Sequence, residues 1–334
     1  MSRYRQESEP APFFWIALEK EPSRQPLDSH ALHDAFHGWT GWLDLEIEVF
    51  SDYLYVGSGQ IDLVRIEGRE QARYTFARRD GKLVIPATSI KGAVRSVFEA
   101  ITNSCVPLRH RRERPLSTVH MACGLVRIGK EDKVQLCPAC RVFGTTGYRG
   151  RVYFTDGEPV GSIRTTTIKI SDLWPPRRTR GRKFYETKKY QPQDLRSARN
   201  TRFIEVVPRK NKFRTTLHFG NLNEGELGAL LRALGIVSKE ENPDEVRLAF
   251  PIKLGGAKPR CLGSVYMRPR KVQIVASPRQ SWLEGLIQPR GEGEMVAHLA
   301  AWLRDISLLA PQAWEAFRSQ AQPSTDESCP REVY

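Results

Sequence analysis

The stretch IPATSIKGAVRSVFEAI, residues 85–101, predicts a helix with one buried face. Pro86 ends the extended run before it, and Thr88 or Ser89 can cap the helix. Apolar residues recur at helical spacing at Ile90, Ala93, Val94, Val97, Phe98 and Ile101. The free backbone N–H groups at a helix start favour an anion. The stretch therefore predicts either a phosphate-binding end or an ordinary capped surface helix.

Two segments have the composition of a phosphate-binding surface. In the helix, Lys91 and Arg95 lie one turn apart on one face, and Gly92 permits close approach. The second segment is the loop LGGAKPRCLGS at 254–264, whose glycines can expose backbone N–H groups beside two cations. Its residues of interest are Gly255, Gly256, Gly263, Lys258 and Arg260. Gly-rich loops are common, so the loop alone does not decide between a binding role and a plain turn.

The order of the predicted elements indicates an α+β fold. Strands are predicted from alternation in GWLDLEIEVF (41–50), GRVYFTD (150–156), KFRTTLHFG (212–220) and VYMRPRKVQIV (265–275), and a second helix in NLNEGELGALLRALGI (221–236). Strand, helix, two strands, helix, strand is the ferredoxin-like or RNA-recognition-motif topology, here interrupted by insertions.

The predicted domain organisation has a central unit and two extensions. It comprises an N-terminal extension at 1–40, a domain at 41–276 with insertions at 105–140 and 160–212, and a C-terminal helical extension with a tail at 277–334. Within the last part we predict one helix around Glu294 to Arg318 and a loose tail from 322 onward.

Charge points to a polyanionic partner. The 334 residues include 52 Lys+Arg and 38 Asp+Glu, a net charge of +14. Residues 177–214 hold fourteen of these cations against three acids, interleaved with aromatic residues, which suits phosphate contacts and base stacking. A solvated basic loop is the alternative. No apolar run is long enough to span a bilayer and the start is polar, so we expect a cytoplasmic protein without a membrane partner.

The cysteines indicate a structural zinc site. Cys105, Cys123, Cys137 and Cys140 lie close in sequence, and the last two have Cys-x-x-Cys spacing. His120 could replace one thiolate, and His110 is a further candidate. A redox role for Cys-x-x-Cys requires a thiol at a helix start, and the residues that follow do not look helix-forming. Cys261 is isolated and is expected to be buried rather than to bind metal.

In this order, IPATSIKGAVRSVFEAI, CPACRVFGTTGYRGRVYFTD, LNEGELGALLRALG and KLGGAKPRCLGSV resemble the RAMP superfamily of CRISPR-associated proteins. The similarity is strongest to the Cas-seven-like backbone subunits of type III effector complexes. The sequence departs from the family pattern at Ala87 and Cys261, where the family usually has glycine.

The resemblance implies a palm that binds CRISPR RNA, with target single-stranded RNA and other effector subunits as partners. The family pattern places guide contacts in the helix and the Gly-rich loop, at Ser89, Lys91, Gly92, Arg95, Gly255, Gly256 and Lys258, with Arg141 and Arg260 beside them. The basic insertion at 160–212 would be the thumb that wedges between guide and target bases.

The resemblance also implies a possible endoribonuclease activity. In the family a loop aspartate lies beside target RNA, and Mg²⁺- or Mn²⁺-dependent cleavage proceeds by 2′-hydroxyl attack. Asp62 in GSGQID is the nearest match, with Asp52 and Asp80 as competitors. An ordinary solvent-facing aspartate in a turn is the alternative reading. Other hypotheses are a non-catalytic backbone subunit, a guide-processing endoribonuclease and, more remotely, a zinc-ribbon DNA-binding protein.

Overall fold

The computed structural model describes residues 11–106, 119–124, 134–173, 181–193, 200–275 and 292–330. The fold is mixed α+β and rich in strands, as predicted. The helices, numbered in chain order, are α1 (Ala87–Ile101), α2 (Pro138–Phe143), α3 (Glu224–Ala233), α4 (Glu292–Arg304) and α5 (Pro311–Gln320), with single 3-10 turns at Ser29–Ala31 and Lys258–Arg260.

The strands are β1 (Phe13–Ile16), β2 (Gln25–Pro26), β3 (Trp39–Val49), β4 (Tyr53–Leu54), β5 (Gly57–Ile66), β6 (Arg69–Phe76), β7 (Arg78–Arg79), β8 (Lys82–Leu83), β9 (Gln135–Leu136), β10 (Val152–Phe154), β11 (Glu158–Pro159), β12 (Thr166–Ser171), β13 (Arg182–Tyr185), β14 (Lys188–Lys189), β15 (Thr201–Pro208), β16 (Lys212–Leu222), β17 (Ile236–Ser238), β18 (Val246–Leu248), β19 (Ile252–Lys253), β20 (Ser264–Val275) and β21 (Ser324–Ser328).

The central sheet has the strand order β10-β16-β3-β20-β19, and β11 also pairs with β16. All of these neighbours are antiparallel. Alternation sets the two faces of the sheet: Leu43, Leu45 and Ile47 of β3 point into the core, while Trp42 and Asp44 point away from it. Helices α1 and α3 supply the apolar side chains that pack with the buried face in one core cluster.

A second sheet has the order β12-β15-β6-β5, with β4 also paired to β15. It joins strands from both sides of α1, because β5 and β6 precede that helix and β12 and β15 come from the region predicted as the thumb insertion. Arg73 of β6 pairs in register with Phe203 of β15. Strands β12 and β15 of the insertion predicted at 160–212 are therefore built into this sheet.

The C-terminal region differs from its prediction in two ways. The helix predicted over 294–318 is two helices, because Pro311 lacks a backbone N–H and begins α5 instead of continuing α4. The segment predicted as a loose tail contains β21, which pairs with β14. Cys329 then forms a disulfide with Cys261 of the Gly-rich loop. Cys261 is buried as expected but is not isolated. No helix within the described ranges is long and apolar enough to cross a membrane.

Candidate metal centre and nucleic-acid interface

Four cysteine sulfurs converge in the core. The Sγ atoms of Cys105, Cys123, Cys137 and Cys140 all lie within 4.8 Å of one another, and all four residues are buried. The Cys105 and Cys140 sulfurs are 3.5 Å apart. Tetrahedral zinc with Zn–S bonds of about 2.3 Å requires sulfurs separated by about 3.8 Å. The donor set and its dimensions therefore fit a zinc ion held by four thiolates, and a small contraction closes the site.

Backbone and guanidinium donors surround these sulfurs. Cys105 N donates to Cys137 Sγ and Cys137 N donates to Cys123 Sγ, each over 3.4 Å. Hydrogen bonds among the four cysteines lower the pKa of the Cys123 thiol and raise those of Cys105 and Cys140, so without a metal the four cannot all be thiolates together. Backbone donors of this kind stabilise thiolates, which are the form that binds zinc.

The segment after Cys137 is helical, contrary to the argument used against a redox role. The residues after Cys137 do form a short helix, α2, with Pro138 at its first position, because proline needs no hydrogen-bonded N–H there. The redox hypothesis is thus not excluded by local structure. What favours metal is the convergence of four thiols. His120 is buried but its ring is not part of the sulfur cluster, and His110 lies outside the described residues.

The N-terminal end of α1 is capped differently from the prediction. Pro86 is the N-cap, and no side chain of Thr88 or Ser89 caps the helix. Instead Asp156, from the loop after β10, accepts a hydrogen bond of 2.7 Å from Ala87 N. A carboxylate therefore already uses part of the positive end of the helix dipole.

Of the α1 residues predicted to contact RNA, Gly92 and Lys91 remain accessible, whereas Arg95 is bonded inside the fold. Gly92 is exposed, and a Cβ built on it would meet no atom within 4 Å. Lys91 is half-buried, with its Nζ 5.2 Å from the centre of the Tyr153 ring. Arg95 instead donates to Glu99 Oε1 at 2.7 Å and to Gly144 O at 3.0 Å, with a longer contact to Cys140 Sγ. Arg95 links α1 to the cysteine cluster.

The Gly-rich loop uses its glycines to pack closely on residues 53–56. Gly255 has φ +79°, and a Cβ there would lie 2.1 Å from Tyr55 O. Gly256 N donates to that same Tyr55 oxygen at 2.8 Å, and Gly263 N donates to Tyr53 O. Only glycine permits both the backbone angles and the approach. These N–H groups, expected to face phosphate, are used inside the fold.

A lysine groove forms where the loop meets α1. Ser96 of α1, Lys183 of β13, Lys253 of β19 and Lys258 of the loop line a cleft of about 100 Å³. Burial lowers the pKa of Lys258 and lowers that of Lys253 to about 7. Within the part of the chain that the structure describes, no carboxylate forms an ion pair with Lys258. Sequence reasoning missed Lys183 and Lys253, since each stands in an ordinary strand.

Two arginines predicted to bind RNA are buried structural residues. Arg141 of α2 donates to Asp28 Oδ2 at 2.6 Å and to Pro26 O at 3.2 Å. Arg260 of the loop donates to Asp172 O at 2.9 Å. Their partners lie 88 to 115 residues away in sequence, so no local pattern identifies them.

The aromatic residues of the basic segment are mostly packed inside. Phe184 stacks on Phe14, and Phe213 lies in the core beside Phe76. Lys183 lies 3.7 Å from the centre of the Phe13 ring. Residues 174–180 and 194–199, which carry much of the predicted thumb charge, lie outside the described residues.

Asp62 lies within β5 and not in a loop after the first strand. Arg73, opposite it on β6, donates to both carboxylate oxygens, with distances of 3.0 and 2.6 Å. The hydrogen bond from Arg73 lowers the pKa of Asp62. Of its competitors, Asp52 accepts from Tyr190 N at 2.7 Å, and Asp80 is exposed in a turn with φ 50°.

Comparison with known proteins gives a match to a family model and similarities to solved structures. The family model of the RAMP superfamily matches residues 46–266. A solved structure titled "Cryo-EM structure of the Type III-B Cmr-beta bound to cognate target RNA" is similar, with 16% identity and a TM-score of 0.37. The match covers 71% of this chain and 61% of the other, so this chain spans less than two thirds of that relative. No curated protein matches. Because the family match covers more than half of the sequence, the chain belongs to the RAMP superfamily.

Proposed function

We propose that this chain binds CRISPR RNA as a subunit of a type III RNA-guided effector complex in the cytoplasm. Target single-stranded RNA and the other subunits of that complex are its proposed partners. The observation that carries the proposal is the lysine groove between α1 and the Gly-rich loop, in a chain of the RAMP superfamily.

The electrostatics of the groove support an anionic ligand. Lys253 donates to two backbone carbonyls, Cys261 O at 3.2 Å and Leu262 O at 3.3 Å, and burial holds its pKa at about 7. Burial disfavours the charged form of Lys253, the charge of Glu186 only partly offsets this effect, and a phosphate beside the amine would favour its charged form. Exposed Gly92, one turn before Ser96 on α1, leaves room for a phosphodiester to pass.

A ferredoxin-like palm with a zinc-holding insertion is part of the proposal. The strands that correspond to the predicted order lie as β10-β16-β3-β20, all antiparallel, with α1 and α3 in the two connections. This is the neighbour pattern that two split βαβ units give. Zinc at the four cysteines would join the end of α1 to α2.

Salt-dependent binding to single-stranded RNA tests the proposal. Lys258→Ala should weaken binding and reduce the slope of log K against log salt by about 0.7, since one phosphate contact is lost. Lys239→Ala is the matched control, because Lys239 is an exposed lysine paired with Glu245 in another part of the chain. Equal effects of the two substitutions, or tighter binding to duplex DNA than to RNA at matched salt, would contradict the proposal.

Target cleavage is a separate proposal that depends on the resemblance. We propose that, if this subunit cuts, Asp62 acts with Mg²⁺ or Mn²⁺, after release from Arg73. Asp62→Ala in the assembled complex should then abolish one cleavage product. Cleavage unchanged at every site would remove Asp62 from the reaction and leave a non-catalytic backbone subunit.

A further inference from the structure

An aromatic row crosses the open face of the central sheet, away from the lysine groove. Tyr153 of β10 lies opposite His218 of β16, and His218 lies opposite Trp42 of β3. Their side chains alternate with core residues, so all three point to the face opposite the core, where Tyr153 and His218 are exposed and Trp42 is half-buried. The Trp42 and His218 rings are 6.1 Å apart, and Tyr153 is 39% exposed. The row therefore presents ring surface from three adjacent strands.

The Tyr153 ring is held in place and is flanked by cations. Arg149 Nε donates to the Tyr153 hydroxyl at 2.7 Å, and that hydroxyl donates to Gly150 O. The Arg149 guanidinium and Lys91 Nζ lie 5.5 and 5.2 Å from the ring centre. A fixed ring loses little conformational freedom on binding.

A cavity opens directly beside the row. Its volume is about 420 Å³, and Trp42, Tyr153 and His218 line it together with Phe36 and Arg149. Phe36 is 56% exposed. The cavity size falls within the usual range for small organic ligands, and an aromatic wall with a few polar groups suits a planar heterocycle.

Further along the same strands the face is basic. Arg214 of β16 with Arg268 and Lys271 of β20 project from it, and none of them is ion-paired to a described carboxylate. Lys212 and Arg270 do pair, both with Glu46. Steps of two residues along a strand are about 7 Å, comparable to the spacing of successive phosphates in an extended single strand. Lys271, opposite Asp44, thus lies one such step from Trp42, and Arg214 lies two steps from His218.

We propose that this open face is a second RNA-binding surface, on which unpaired bases stack against Trp42, His218 and Tyr153 while the strand continues over Arg214, Arg268 and Lys271. The inference rests on the proposed function for its ligand class, but its residues are different from those of the lysine groove. Exposed sheet aromatics are a known way for a protein to stack RNA bases.

The composition of the face favours RNA over a protein partner. The centre of a protein interface is depleted of charged residues. This face instead mixes stacking rings with charged side chains: Lys212, Arg214, Arg268, Arg270 and Lys271 project from it, against Asp44, Glu46, Glu48 and Glu158. Glu46 contacts two of the five cations, Lys212 and Arg270, and the other three, which pair with no described carboxylate, suit a polyanion.

Abasic RNA separates base stacking from phosphate binding. The full chain is titrated with a short single-stranded RNA and with an abasic oligonucleotide of the same length and backbone. The wild type should bind the base-containing strand about tenfold more tightly. Trp42→Leu with Tyr153→Leu should remove that preference, whereas Tyr153→Phe should keep it. Tyr74→Leu is the matched control, because Tyr74 is 38% exposed on the other sheet.

The outcomes distinguish this inference from the proposed function. If Lys258→Ala weakens both ligands equally while the double leucine variant still prefers bases, the second surface is wrong and the groove stands. If the wild type binds neither ligand, the proposed function fails. If the double variant binds RNA normally but no longer assembles with other subunits, the face is a protein interface and the inference is overturned. Unchanged zinc content and melting temperature show that each variant is folded.

Discussion

At the scale of single residues, buried charges tie separate strands together. Glu205 of β15 is 2% exposed and accepts hydrogen bonds from Arg78, from Phe76 N and from Thr165. Burial alone would raise its pKa, but these donors outweigh burial and hold the pKa of Glu205 at about 2. In the sequence, Glu205 is one of three acids in the basic segment 177–214, and nothing near it indicates this role.

Glu205 gives the protein an acid-sensitive contribution to stability. Its folded pKa lies below the ordinary value of 4.5, so the contribution is complete above about pH 4.5 and is lost as the pH falls towards 2. We expect Glu205→Gln to lower the free energy of unfolding at pH 7 by about 2–3 kcal/mol and to flatten the pH dependence below 5. Urea unfolding at several pH values measures both. Parallel pH curves for the two proteins would show that Glu205 does not carry the effect.

The cysteine cluster predicts one bound zinc per chain. Cys137→Ser with Cys140→Ser should abolish zinc binding, lower the free energy of unfolding by about 4 kcal/mol or more, and weaken RNA binding. The reason is that the ion links the end of α1 to α2. Elemental analysis and thermal melting provide the readout, with Cys329→Ser as a cysteine control that should keep its zinc. Full stability without metal would contradict a structural zinc site.

At the scale of elements, α1 serves the core on one side and the groove on the other. Ile90, Val94 and Phe98 are buried, as the spacing predicted. Its exposed side includes Gly92, an unusual choice inside a helix, because glycine costs about 0.5–1 kcal/mol there relative to alanine. Nothing in the packing of the described residues requires glycine at this position. Close approach of a ligand would require it.

Gly92→Ala should therefore stabilise the free chain and weaken RNA binding. We expect the free energy of unfolding to rise by about 0.5–1 kcal/mol while the affinity for RNA falls. Gly228→Ala in α3 is the contrasting control, since a Cβ there would lie 2.4 Å from Trp302 O and should destabilise the protein. Higher stability with unchanged RNA affinity would place the RNA path away from Gly92.

At the scale of the whole molecule, the C-terminal strand and its disulfide hold the Gly-rich loop in place. β21 pairs with β14, and the Cys261–Cys329 disulfide joins the C-terminal strand to the Gly-rich loop across 68 residues. Lys188 of β14 also pairs with Glu327 at 2.8 Å. The loop is therefore held from residues 53–56 on one side and from the C-terminal region on the other.

The disulfide should make stability depend on redox conditions. Cys329→Ser is expected to lower the free energy of unfolding by about 2–4 kcal/mol in oxidising buffer, because the unfolded chain regains loop entropy. In excess dithiothreitol the variant and the wild type should unfold alike. A loss of the same size under both conditions would mean that the cysteine contributes through packing and not through the bond.

Much of the element pattern could be predicted from the sequence, because the period of the apolar residues is a local property. Strand β3, helix α1 and helix α3 follow from the spacing of their apolar residues. The four cysteines could be grouped because three of them lie within 18 residues and the Cys-x-x-Cys spacing constrains two. Pro311 marks the start of α5, but the apolar spacing on either side of it predicts one continuous helix.

The roles of the cations could not be predicted from the sequence. The sequence does not distinguish Lys91 from three arginines, Arg95, Arg141 and Arg260. Each of these arginines donates hydrogen bonds to groups that are distant in sequence and close in the fold. The disulfide, the lysine groove and the aromatic row likewise join residues far apart in the chain. The sequence by itself determined the family and the types and buried faces of β3, α1 and α3, because these depend on neighbours within a turn or a strand. Tertiary structure alone decided which polar groups are consumed inside the fold and which stay available to a ligand, because burial and partnership depend on distance in space.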